Sequence, residues 1–251
     1  MDSPSDRLVK SIAPLDDGEC CVHSTAIPIR LLYCLSHDVA REVQNVKNFK
    51  TIGLTIAATS LFAAPVLAHH PLGGRVPMNA FEGFMSGVAH PVIGLDHLAM
   101  VVAIGLFAGV RGQALILPLV FGGAALVGTS AHLFSLPLPG VELLVSASVL
   151  AFGLLMAFQK RLEVASMLAI LGVAGLFHGY AYGEAIFGAR SAALYSYLFG
   201  FTAIQLAISC GAAQVAKAML DSAKLRSAGL LVAGIGTALL GTQLLKVAGL
   251  G

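Results

Sequence analysis

The segment "AHPVIGLDHLAM" places His90, Asp96 and His97 within eight residues and runs directly into the apolar stretch "VVAIGLFAG". Two imidazoles and a carboxylate form a donor set for a divalent first-row metal. Imidazole suits nickel, cobalt, copper and zinc, and an oxygen ligand adds neutralising charge. A carboxylate beside an imidazole has a second use, fixing its tautomer from outside the coordination shell; the sequence leaves both roles open for Asp96. At about 100° per residue, His90 and His97 share one helix face and Asp96 points about 120° away from His90. Pro91 and Gly94 interrupt any regular helix here, so a broken or bent segment is expected. Met100, one turn beyond Asp96, reads as packing rather than as a soft ligand.

Four further stretches carry groups of the same chemistry. His132 closes one apolar run, Glu142 opens another in "PGVELLVSASVLAFG", and His178 lies in "FHGYAYGE" with Tyr180, Tyr182 and Glu184 nearby. His69 and His70 stand together just before Pro71. An ionisable residue inside an apolar run is costly, and it marks a functional position more often than an exposed one does.

The elements that must position these groups are membrane helices. Hydrophobic residues make up 57% of the chain and charged residues 11%, against about 25% charged in soluble domains. The expected fold class is all-α, a polytopic membrane helix bundle of about six spans of about 20 residues each, following a cleavable signal peptide. The six are read at 81–109, 113–133, 141–158, 164–182, 192–215 and 228–247. Small residues in "FGGAALVG" and "GTALLGTQLL" suit close backbone approach between such helices.

Charge is unevenly distributed. Residues 1–50 hold seven of the thirteen acids and six of the fifteen bases. Lys47 and Lys50, the apolar run 51–64 and small Ala68 have the order of a secretory signal, with cleavage expected before His69. Residues 46–68 are therefore read as the signal peptide and 69–251 as the transmembrane domain. Residues 1–45 are read as an over-translated or disordered extension, the alternative being a cytosolic extension with the apolar run kept as an anchor. Cys20, Cys21 and Cys34 fall in that segment and Cys210 is alone in an apolar run. No zinc ribbon or disulfide framework results, and Cys210 is expected to act as a small buried hydrophobe. A formal net charge of +2 without a basic cluster gives no reason to expect a nucleic-acid partner.

Orientation follows from Lys and Arg in the short loops. Arg111, Lys160, Arg161, Lys217, Lys224 and Arg226 fall on one side, and Arg75, Arg190 and Lys246 on the other. The first side is expected to be cytoplasmic, which puts the mature N-terminus outside, as a cleaved signal also requires. On that topology His69, His70, His90, Asp96, His97, His132, Glu142 and His178 all lie at or near the outer half of the membrane.

"HPVIGLDH" resembles the HPxxGxDH signature of the HupE/UreJ family of nickel/cobalt permeases, and "HGYAYGE" resembles that family's second motif, often HGxAHGxE. The resemblance spans residues 69–251. It implies uptake of Ni2+ or Co2+ as transported substrate, no permanently bound cofactor, and a functional link to hydrogenase, urease or cobalamin pathways. It assigns the motif roles to His90, Asp96, His97 and His178. Tyr182 stands where many members have a second His, and Glu184 follows Gly183 directly, so the resemblance assigns neither a metal role.

The mechanism expected is capture of the ion at the outer face by His69 and His70, then transfer to His90, Asp96 and His97, with His132, Glu142 and His178 completing the site. The partners are the ion and the lipid bilayer, with self-association left open; the membrane is expected to be a bacterial inner membrane. No GxxxxGK[ST] or HExxH occurs, so the chain is not expected to be an enzyme. Inward movement of two positive charges gains about 4.6 kcal/mol per 100 mV, enough for a gradient on the order of a thousandfold. A membrane sensor or accessory subunit and a histidine-ligated haem redox protein remain as alternatives. Because imidazole binds metal only when deprotonated, uptake should fall as external pH drops below about 6.5. Metal uptake at pH 5 and pH 7.5, under matched membrane potential, checks this, and equal rates would refute it.

Overall fold

A computed structural model describes residues 75–159 and 162–249. The proposed extension and signal peptide, His69, His70, Cys20, Cys21 and Cys34 lie outside the described residues. Within them the regular structure is α-helical: α1 (Ala80–Ile93), α2 (Leu95–Val110), α3 (Ile116–Leu133), α4 (Val141–Ala157), α5 (Val164–Glu184), α6 (Ser191–Met219) and α7 (Ser222–Val247). The chain is an all-α polytopic membrane protein. α3, α5, α6 and α7 are each long and apolar enough to cross a bilayer, and α1 and α2 pass the same test only as a pair. α4 has 17 residues, about 25 Å at 1.5 Å per residue and at the short end for a span.

All six apolar segments are helical, but the first is two helices meeting at 78°. Pro91 lacks the N–H that would pair with the carbonyl one turn back. Three residues later Gly94 leaves the helical region, with ψ 108°. The entry to α1 is well capped: Asn79 Oδ1 accepts from the Glu82 N–H and the Glu82 carboxylate accepts from the Met78 N–H, both at 2.9 Å. α7 begins six residues before its apolar run because Asp221 caps it, accepting from the Lys224 N–H at 2.8 Å. That bond holds the Asp221 carboxyl below the usual carboxylate range.

Helices distant in sequence pack as partners: α1 and α2 against α6, α3 against α5, and α4 against α7. Glycines make each seam. A Cβ on Gly87 would overlap the Tyr197 carbonyl, one on Gly179 the Ala125 carbonyl, and one on Gly153 the Ala233 backbone. With no water to expel between helices in lipid, this close approach supplies the packing. α2 also touches α3, α4 and α7 and is the most central helix. Beyond its first turn its sequence is apolar on every side, as a helix buried all round requires. Phe84, Val127, Val173 and Phe199 face outward, where lipid accepts them.

Loops assigned to one side of the membrane by charge do meet. The Gln159 amide at the end of α4 donates to the Ser222 carbonyl at the start of α7. Cys210 is half-buried, not fully buried, and its thiol points to the Ala114 carbonyl at 3.9 Å. At the opposite end Lys246 stands 3.8 Å from Glu142.

The bend sets a distance that can be measured. Spin labels at the exposed positions Phe81 and Val110 should lie about 35 Å apart, against about 44 Å for one straight helix. Pulsed electron paramagnetic resonance in lipid vesicles decides between the two.

Candidate functional site

The break between α1 and α2 creates the site. In a straight helix, residues seven apart are separated by about 10 Å along the axis. Across the bend the His90 and His97 rings have centroids 5.4 Å apart. Asp96 falls in the first turn of α2, where a carboxylate complements the helix dipole. Its Oδ1 accepts from the His97 N–H at 2.8 Å, a donor left without a helical partner by the break. The same oxygen lies 3.9 Å from His97 Nε2.

His178 reaches this group from α5. Its Nδ1 faces His97 Nδ1 at 2.9 Å, and its Nε2 is 3.0 Å from the Ser148 hydroxyl on α4. Tyr182, one turn along α5, covers the trio: its ring is 4.3 Å from that of His97 and 5.0 Å from that of His90. The Tyr182 hydroxyl donates to Gln205 Oε1 on α6 at 3.3 Å. Tyr197, also on α6, joins His90 Nδ1 to the Tyr182 carbonyl, 2.9 Å to each. His90, Asp96, His97, His178, Tyr182, Tyr197 and Gln205 are all buried. Apolar rings pack on the layer, Phe121 on the His178 ring at 5.4 Å and Phe201 on the Tyr182 and Tyr197 rings at 5.1 and 5.7 Å.

The remaining expected ligands stand elsewhere. His132 is half-buried at the end of α3, packed on Tyr180 at 4.6 Å, on Phe187 at 5.7 Å and against Gly183. Its Nδ1 is buried with no hydrogen-bond partner. Glu142 is exposed and lies beside Lys246. Glu184 is exposed at the end of α5. Among the described residues no three His, Cys, Asp or Glu side chains converge tightly enough to enclose an ion by themselves. The group can supply two facing nitrogens, a third imidazole and a carboxylate beside them, but not a closed structural cage.

A family profile described as "HupE / UreJ protein" matches residues 56–239. The chain belongs to the HupE/UreJ family. A curated relative, "Protein HupE" from Rhizobium leguminosarum bv. viciae, is 30% identical over 141 residues, covering 54% of this chain and 68% of that protein. No solved structure matches.

The match covers every helix that contributes to the buried layer. Within the matched region Tyr182 lies against the His90 and His97 rings with its hydroxyl turned to Gln205. Sequence reasoning missed Ser148, Tyr197 and Gln205. Polar residues on apolar helices were the available signal, but 18 Ser, Thr and Tyr residues on the described helices share it.

The seam beneath His178 is the most exacting part of the packing. Gly179→Ala should force α5 off α3 and lower stability by about 1–3 kcal/mol, read as an earlier thermal transition in detergent. Gly172→Ala, where a Cβ meets open space, should leave the transition unchanged.

Proposed function

We propose that this protein carries Ni2+ or Co2+ inward across a bacterial inner membrane through the buried histidine layer, driven by the membrane potential or an ion gradient and not by ATP. One observation carries the reading: His97 and His178 turn like nitrogens toward each other at 2.9 Å inside a buried layer that also holds Asp96 and His90. Two nitrogens bound at about 2.05 Å to one ion stand about 2.9 Å apart at a right angle and about 3.4 Å apart at the tetrahedral angle. The separation is that of a hydrogen bond between the two rings, and it is short enough that small ring rotations would turn both nitrogens onto one ion as neighbouring ligands.

An ion bound there replaces the proton that the two nitrogens share. His97 then carries its proton on Nε2, the nitrogen 3.9 Å from Asp96 Oδ1, so the carboxylate favours the metal-binding tautomer. His90 adds a third imidazole across the bend. An unclosed ligand set suits cargo, because conduction needs binding strong enough to admit the ion and weak enough to release it. His69, His70, His132 and Glu142 serve the outer approach; the unbonded Nδ1 of His132 supports that role. The lysine- and arginine-rich loops face the cytoplasm, so the mature N-terminus and the outer approach face the periplasm. The bent α1–α2 pair resembles the discontinuous helices on which transporters build central sites.

Uptake of radioactive nickel and cobalt should be tested in cells lacking their own transporters. Wild type is expected to accumulate one or both ions, and His97→Ala at equal membrane abundance should fall to background. A well-inserted wild type that accumulates neither would overturn the permease reading in favour of a sensor or accessory subunit.

A further inference from the structure

The protons of the two outer imidazoles can be located from their hydroxyl partners. Ser148 Oγ lies 2.7 Å from the Val145 carbonyl and 3.0 Å from His178 Nε2. A carbonyl oxygen only accepts, and two oxygens at 2.7 Å need a proton between them. The single Ser148 hydrogen therefore goes to Val145, and Ser148 can only accept from His178. His178 thus carries its proton on Nε2 and its lone pair on Nδ1, the nitrogen facing His97.

The same accounting holds on the other side of the layer. Tyr197 Oη is 2.9 Å from the Tyr182 carbonyl and 2.9 Å from His90 Nδ1. Its one hydrogen goes to the carbonyl, so His90 donates from Nδ1 and holds its lone pair on Nε2. Two hydroxyls, each with its hydrogen committed to the backbone, thus select opposite tautomers in two imidazoles of one cluster.

We propose that Ser148 and Tyr197 are positioning residues that set the tautomers of His178 and His90, so that the Nδ1 lone pair of one and the Nε2 lone pair of the other are available to the transported ion. As a ligand role the inference rests on the permease reading above; as a statement about tautomers it stands without it. The ring nitrogens of a neutral imidazole differ little in intrinsic basicity, so the hydrogen bond made by one decides which carries the lone pair. Without the Ser148 hydroxyl, His178 would divide between tautomers and lose its fixed ring orientation. Ser148 is half-buried on the wall of an apolar groove of about 460 Å³ between α4 and α5, so its hydroxyl can be removed without opening a packed core.

The experiment uses the full chain, ¹⁵N-labelled at histidine, metal-free in lipid vesicles, with His178 signals assigned by difference against His178→Gln. Nitrogen NMR reads the tautomer directly. Wild type should show His178 protonated on Nε2, Ser148→Ala a mixture, and Ser148→Thr the wild-type state, because threonine keeps the hydroxyl and its bond to the preceding turn. Tyr197→Phe should do the same to His90 and leave His178 unchanged. Nickel binding to the same samples should weaken about tenfold or more in Ser148→Ala and recover in Ser148→Thr. An unchanged His178 tautomer in Ser148→Ala, or a threonine variant no better than alanine, overturns the proposal. Tautomers that shift as expected in a protein that binds no nickel or cobalt support the positioning of the imidazoles and overturn the permease reading instead.

Discussion

Backbone polar groups in a hydrocarbon layer must find partners within the protein, and the break between α1 and α2 is where that requirement is hardest to meet. Pro91 removes a donor and Gly94 turns the chain out of the helical region, freeing groups that a soluble protein would give to water. Here the Asp96 carboxylate accepts from the His97 N–H, and the remainder of the layer is closed by α5 and α6. The carboxylate serves two ends through one position, since satisfying the broken helix also holds it beside the imidazole. Without the break, His90 and His97 would stand two turns apart along one helix.

The seams explain how such a layer is held without a hydrophobic driving force between helices. Gly87 lets α1 approach the Tyr197 carbonyl, and Gly179 lets α5 approach α3 next to His178. Backbone contact at these points sets the separation of the helices, and the helices set the distances between imidazoles. A site whose useful geometry depends on tenths of an ångström is thus placed by residues that have no side chain. Apolar rings pack directly on the layer, Phe121 on His178 and Phe201 on Tyr182 and Tyr197, and such low-dielectric surroundings strengthen each hydrogen bond inside it and raise the cost of leaving one unmade.

Serine and tyrosine hydroxyls have an advantage in this setting over amides or charged groups. A hydroxyl has one hydrogen, so once that hydrogen is committed to a backbone carbonyl the group has a single remaining function, to accept. Ser148 and Tyr197 both commit it within the helical framework. Each then acts as a fixed acceptor that orients an imidazole without adding charge to a low-dielectric layer, where an extra charge would carry a large desolvation cost.

Much of the architecture was legible in the chain itself. The six apolar segments, the break at Pro91 and Gly94, and the choice of His90, Asp96, His97 and His178 as candidates follow from rules local in sequence. Bilayer thickness dictates helix length, proline removes a donor wherever it stands, and an ionisable residue is conspicuous against an apolar background. The pairing of α3 with α5 and of α4 with α7 was not legible. Nor was the separation of His132 and Glu142 from the central group, or the recruitment of Ser148, Tyr197 and Gln205 to it. Those outcomes depend on which glycine meets which distant backbone, and on whether a hydroxyl on an apolar helix turns toward lipid or toward an imidazole. Sequence spacing specifies a residue's face on its own helix; only lateral packing decides what that face meets.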